Sequence, residues 1–156
     1  MSAIDKKFES KNFKGWKNLD LKNLPVDGKR YNSYEFMQKE WEYMWPKIWL
    51  LLGREEEIPN SGDYQMEDFG KESFLMVRQD DGSIKSFYNV CQHRGARLTF
   101  NDVGTTEAFI CPYHGWKWRK DGKLIEAQDS EDFPQGDPCQ NLKLEDIDQI
   151  VYGYSR

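Results

Sequence analysis

The chain contains only two histidines, and each lies within three residues of a cysteine. The two segments read Cys91-Gln92-His93-Arg94-Gly95 and Cys111-Pro112-Tyr113-His114-Gly115-Trp116, that is C-x-H, seventeen residues, then C-x-x-H. Two thiolates and two imidazoles of this kind suit one soft-metal site, and such a site forces two distant loops to meet. Gly95 and Gly115 follow the two segments closely, where a residue without Cβ lets backbone approach a bulky group. The third cysteine, Cys139, lies in a polar stretch and has no evident role. An odd, low cysteine count without a secretory leader does not describe a disulfide framework.

The rest of the pattern indicates a mainly β chain. At 156 residues and 18.5 kDa it has the length of one ordinary domain. Residues 1 to about 30 are polar and rich in Lys and Asn, with Phe8, Phe13 and Trp16 scattered among them, and read as an arm. The spacing predicts a helix over 33–45: Met37, Trp41, Met44 and Trp45 share one face, Asn32 or Ser33 caps it and Pro46 stops it. That aromatic stripe is expected to pack in a core. Residues 1–45 therefore form an arm and helix, and 46–156 the main domain. Short strands are expected at Ile48–Gly53, Tyr64–Asp68, Ser73–Gln79, Ile84–Val90, Thr106–Ile110, Lys117–Arg119 and Lys123–Ala127. Asp81-Gly82 and Asp121-Gly122 each separate two such runs and read as hairpin turns. Residues 128–141 read as a loop, and Leu142, Leu144 and Ile150–Tyr154 as closing strands. Short strands at even spacing predict a small antiparallel β sandwich or barrel. The two Cys/His segments then fall on loops 89–97 and 110–118.

Composition excludes several classes. Hydrophobic residues make up 38% and aromatics 15%, too many for a disordered tail. A net charge of -5 and a pI near 5.1 argue against a nucleic-acid partner. No apolar run approaches the roughly 18 residues of a membrane span, and the lysine-rich N-terminus lacks the apolar segment of a secretory signal. A cytoplasmic location is expected.

The metal is decided by the pairing. Zinc fingers usually pair like with like, two cysteines in one segment and two histidines in another. Here each segment mixes one of each, which suits a two-iron cluster clamped by both loops. The strings NVCQHRGARL and CPYHGWKW resemble the Rieske [2Fe-2S] domain of ring-hydroxylating oxygenase large (alpha) subunits. The similarity extends to the elements around Trp49, Gly62-Asp63-Tyr64 and Asp81-Gly82, hence from about residue 31 onward. The resemblance implies one [2Fe-2S] cluster in which two histidines replace two cysteines on one iron. Cys91 and Cys111 would hold the buried iron, and His93 and His114 the outer one. Arg94, Gly95, Tyr113, Gly115 and Trp116 would surround them. The respiratory-chain branch of the family carries an extra, disulfide-forming Cys in each loop and a Ser near the second motif. Neither extra Cys is present and Trp116 follows His114-Gly115, which favours the low-potential oxygenase or ferredoxin branch. Neutral imidazoles ease reduction, and Rieske potentials run from roughly -150 to +300 mV, of which the lower part is expected here.

The resemblance implies a non-haem iron oxygenase that takes electrons from a ferredoxin or flavin reductase and hydroxylates an aromatic or related small molecule, commonly as a trimer. Its catalytic domain needs a mononuclear iron held by two His and a carboxylate. With no His outside the two motifs, the chain is expected to transfer electrons and not to activate oxygen, and its end at Tyr154-Ser155-Arg156 resembles a domain boundary or truncation. A free-standing Rieske-type ferredoxin is the first alternative, disfavoured by the helix and aromatic stripe before residue 46. A structural zinc module for protein interaction is the second. Arg94 reads equally as a surface ion pair, Tyr113 and Trp116 as core aromatics that also wall the cluster, and Glu55-Glu56-Glu57 as a solvated face.

Overall fold

The computed structural model describes residues 28–148. The expected arm up to residue 27 and the expected strand Ile150–Tyr154 lie outside the described residues. The chain divides between Trp49 and Leu50 into two compact units.

Within the first unit, the helix α1 spans Tyr34–Tyr43. Ser33 caps it in an extended conformation, its side chain accepting from the Phe36 N–H at 3.2 Å. A 3-10 turn at Trp45–Lys47, with Pro46 inside it, ends the helical run. Helix and cap match the sequence reading; the packing does not. No residue of α1 is buried, Met37 is exposed, and Trp41, Met44 and Trp45 are only half-buried. The Trp41 and Trp45 rings lie 6.3 Å apart on the helix surface. A periodic stripe fixes which residues share a face, and in the structure that face is half-buried at Trp41, Met44 and Trp45.

The second unit holds two antiparallel sheets. The first contains β1 (Asp63–Phe69), β2 (Glu72–Arg78), β3 (Ile84–Tyr88) and β4 (Val103–Thr105), in the order β3-β2-β1-β4. The second contains β5 (Ala108–Ile110), β6 (Lys117–Arg119) and β7 (Leu124–Glu126), in the order β5-β6-β7. Both Asp-Gly turns are where the sequence puts them. Gly82 joins β2 to β3 with φ 81°, and Gly122 joins β6 to β7 with φ 88°. Asp81 accepts from the Ser83 N–H at 2.9 Å and Asp121 from the Lys123 N–H at 3.1 Å, so each side chain closes its own turn.

One core takes side chains from both sheets: Tyr64 and Met66 from β1, Leu75 and Val77 from β2, Phe87 from β3, Phe109 from β5, Trp118 from β6 and Leu124 from β7. Tyr64 and Phe109 meet edge to face at 5.1 Å, joining the two sheets. Lys120 adds a polar tie, its ammonium reaching Asp80 at 2.6 Å and Glu107 at 2.7 Å.

Three expectations are corrected. Ile48–Gly53 forms no strand, and Leu51 is 91% exposed. An apolar run becomes a strand only where a neighbour takes its backbone hydrogen bonds; here β1 meets the run through the Gln65 side chain, which lies against Gly53. Among the described residues, 142–148 form no strand and make two isolated bridges, Lys123 with Lys143 and Phe87 with Asp146. Leu144 still reaches the core, held by its N–H to the Gly122 carbonyl at 2.8 Å. Glu55-Glu56-Glu57 forms a 3-10 turn whose Glu55 pairs at 3.1 Å with the buried guanidinium of Arg78, so this residue is structural and not simply solvated.

The Gly122 turn yields a test. A Cβ at Gly122 would lie 2.6 Å from the Phe87 ring, whereas one at Gly82 meets nothing within 4 Å. Both substitutions to Ala oppose a positive φ, but only the first also overpacks a core aromatic. Gly82→Ala is expected to cost about 1–2 kcal/mol. Gly122→Ala should cost about 2–4 kcal/mol. Denaturant unfolding of the two variants checks the difference.

Candidate metal centre

The two Cys/His loops have the same hydrogen-bonded form. In the first, the Cys91 N–H donates to the Ala96 carbonyl at 2.8 Å and the Gly95 N–H to the Cys91 carbonyl at 3.0 Å. In the second, the Cys111 N–H donates to the Trp116 carbonyl at 2.8 Å and the Gly115 N–H to the Cys111 carbonyl at 3.0 Å. Gly95 and Gly115 sit at φ 73° and 70°, the left-handed conformation that closes each turn. This shared geometry explains why glycine occupies the fourth position after each cysteine. Within it, the histidine stands two residues after Cys91 but three after Cys111.

The loops turn their cysteines inward and their histidines outward. Cys91 and Cys111 are 1% and 2% exposed and both are free thiols. His93 and His114 are half-buried, with ring centroids 4.7 Å apart. Trp116 lies beneath His93, stacked at 4.3 Å and 5°. Tyr113 packs against His114 at 3.8 Å, and the Arg94 guanidinium sits 5.3 Å above the Tyr113 ring. That cation–π contact joins the tips of the two loops, so Arg94 is not merely a surface ion-pair partner. Tyr113 stays largely exposed, whereas Trp116 is part of the core. All nine residues singled out from sequence thus lie on these two loops.

Two further groups escaped sequence reasoning. Asn89, at the root of the first loop, is buried and uses its whole amide. Its Oδ1 accepts from the Leu98 and Thr99 N–H groups, both at 3.2 Å, and its Nδ2 donates to the Thr99 carbonyl at 2.9 Å and the Ser73 hydroxyl at 3.1 Å. An asparagine beside a cysteine gives no periodic or spacing signal. Phe133, from the loop after β7, meets Trp116 edge to face at 5.7 Å and His93 at 6.5 Å. Its only sequence signal is an aromatic in an otherwise polar stretch. Phe133, Asp129 and Asp132 border a hollow of about 370 Å³ beside His93 and His114.

The electrostatics match a site awaiting cations. Burial pushes the Cys91 thiol up, and nearby Cys111 adds to the rise; the His93 backbone N–H and the Trp118 indole N–H favour the thiolate. Partial burial holds His93 below the ordinary histidine value, helped by the charges of His114 and Arg94. His93 Nδ1 is buried without a hydrogen-bond partner. A buried imidazole nitrogen without a proton partner is a costly arrangement in isolation and a natural one for a metal ligand. Two buried thiols, two adjacent imidazoles and that orphaned nitrogen fit an iron–sulfur group.

The fold and this donor set define a Rieske domain. The Rieske [2Fe-2S] domain family matches residues 48–146, and the chain belongs to it. Membership implies one Rieske cluster. The chain is 41% identical to chlorobenzene dioxygenase subunit alpha of Cupriavidus sp. (strain PS12) over 110 residues, which is 70% of this chain and 24% of that protein. It is 35% identical to the naphthalene 1,2-dioxygenase system large oxygenase component of Pseudomonas aeruginosa over 153 residues, 94% of this chain and 33% of that protein. Among solved structures it is similar to naphthalene 1,2-dioxygenase with indole in the active site, with TM-score 0.68 and 32% identity over 76% of this chain and 27% of that one. A quaternary ammonium Rieske monooxygenase in complex with L-carnitine gives TM-score 0.69 and 27% identity, covering 77% of this chain and 34% of that one. The chain therefore spans about a quarter to a third of the length of these relatives. Among the described residues, no helix is long and apolar enough to cross a membrane.

Asn89 provides the test of this loop architecture. Asn89→Ala removes four hydrogen bonds and strands two buried N–H groups, at an expected cost of about 2–4 kcal/mol. A shift of the denaturant midpoint checks it, and an unchanged midpoint would remove Asn89 from this role.

Proposed function

We propose that this chain is the electron-transfer domain of an aromatic-ring-hydroxylating oxygenase alpha subunit. It would receive electrons from a ferredoxin or flavin reductase and deliver them to a mononuclear iron in a catalytic domain. Cys91 and Cys111 would hold the inner iron as thiolates; His93 and His114 would hold the outer iron as neutral imidazoles. The bound cluster supplies reversible one-electron chemistry. The observation that carries this reading is the pair of matched loops, which keep both thiols in the core and leave both imidazoles at its edge.

The chain's own residues divide the remaining work. Gly95 and Gly115 let the two turns close, and Asn89 anchors the first of them. Trp116 fixes the plane of the His93 ring by stacking, and Arg94 over Tyr113 ties the loop tips together. Burial of Cys91 and Cys111 excludes water from the thiolate side. The half-exposed edges of His93 and His114 form the shortest route between the core and a docked partner. A transient redox partner needs only a small contact area there.

The choice of substrate is assigned to the catalytic domain. The two solved relatives named above differ in substrate, one holding indole and the other L-carnitine, yet both contain a domain of this fold. The aromatic assignment rests on the greater identity to dioxygenase alpha subunits. A free-standing ferredoxin is the second reading, and the sequence similarity along 94% of the chain to a large oxygenase component stands against it. The trimer of the parent protein and a cytoplasmic location belong to the same proposal.

Metal analysis separates the ligands from the spare cysteine. Protein purified without oxygen is expected to contain about two irons and two acid-labile sulfides per chain. Cys111→Ser and His114→Ala should lose most of that iron. Cys139 packs half-buried against the core and donates its backbone N–H to Asp137 at 2.9 Å, so Cys139→Ala should keep it all. Zinc in place of iron in the unaltered protein would contradict the proposal.

A further inference from the structure

Trp116 belongs to the second Cys/His loop and reaches the first. Its carbonyl accepts from the Cys111 N–H at 2.8 Å and so closes its own loop. Its ring lies against His93, with 4.3 Å between centroids and 5° between planes. Only 3% of Trp116 is exposed, and Phe133 meets its ring edge to face at 5.7 Å. One face of the His93 ring is therefore covered by indole. The other imidazole is placed differently, since His114 lies against Tyr113 at a tilt of 37°, and Tyr113 is largely exposed. Core packing alone asks only that the slot beside His93 be filled with apolar bulk. A near-parallel stack does more, because it sets the electron-rich face of an indole on the imidazole.

We propose that Trp116 is a positioning and tuning residue, whose indole face, stacked on His93, favours the oxidised form of the site and lowers its reduction potential. This rests on the assignment of His93 as a ligand of the outer iron. The direction follows from charge. An imidazole bound to a metal loses electron density to it, most of all when the metal is oxidised. The face of an indole carries the negative part of its quadrupole, so it attracts such a ring much as it attracts a cation. Uptake of one electron weakens that attraction, while no bond forms or breaks at the indole. Burial of Trp116 keeps water from screening the contact. The same ring holds solvent away from one face of His93, and solvent would favour the more negative, reduced form.

The experiment compares the midpoint potentials of the unaltered protein, Trp116→Phe and Trp116→Leu, titrated with dithionite under argon at neutral pH and read by absorption and EPR. Trp116→Leu keeps apolar bulk but has no aromatic face, and it should be the easiest of the three to reduce, with Trp116→Phe between. A shift of about tenfold in the reduction equilibrium is expected for Trp116→Leu, which is about 59 mV for one electron. An unchanged or lower potential in a Trp116→Leu protein that keeps the mixed-ligand EPR signal overturns the proposal. If that variant fails to assemble, the unaltered chain is grown on tryptophan fluorinated at the benzo ring, which weakens the face at nearly constant volume. The potential should then climb from tryptophan to monofluoro- to difluorotryptophan, and no climb overturns the proposal. A climb that persists in Trp116→Phe overturns it as well, since another tryptophan would be responsible. Absence of iron from the unaltered protein would instead sink the assignment of His93 as a ligand.

Discussion

Two thiols buried in the core set the terms for everything around them, because as the proposed cluster ligands they would have to lose their protons there. Burial opposes ionisation of Cys91, as does the adjacent Cys111. Thiolates at these positions would need cationic metal at the site, which the proposed cluster would supply. The matched turns meet that demand, because each gives its cysteine the same closed loop and the same left-handed glycine. The β framework then acts as a clamp. β3 launches the first loop, the β5–β6 hairpin carries the second, and Tyr64 against Phe109 fixes one sheet on the other. Histidines suit the outer position for the complementary reason. As the proposed ligands they would bind metal while neutral, so the half-buried side of the site would carry no extra negative charge to hinder reduction.

Much of this was legible in the sequence, for identifiable reasons. The Asp-Gly turns report a positive φ that few other residues tolerate, and both hairpins lie there. Ser33 and Pro46 bound α1 because capping and the missing proline N–H are local effects. The four candidate ligands stood out because no other histidine exists in the chain. What stayed hidden depends on distant partners. The run Ile48–Gly53 has the apolar composition of a strand but meets β1 through the Gln65 side chain at Gly53 and forms no strand. The α1 stripe has helical spacing but is half-buried at Trp41, Met44 and Trp45 and exposed at Met37. Glu55 looked like one of three solvated acids until Arg78, distant in sequence, was placed beside it. Asn89 and Phe133 act on the site through contacts that no spacing rule encodes.

The aromatic girdle divides labour within a small space. Trp116 stacks on the His93 imidazole, Arg94 over Tyr113 ties the loop tips together at the surface, and Trp118 fills the core below. Orientation of the imidazole and closure of the loop tips thus rest on different residues, drawn from both loops.

The most direct test is the EPR spectrum of protein purified without oxygen, recorded before and after dithionite. The account predicts a red-brown protein, silent when oxidised, whose reduced form gives a rhombic signal with average g below the free-electron value. A colourless protein holding one tightly bound zinc and giving no signal would contradict it, leaving a structural site where an electron carrier is claimed.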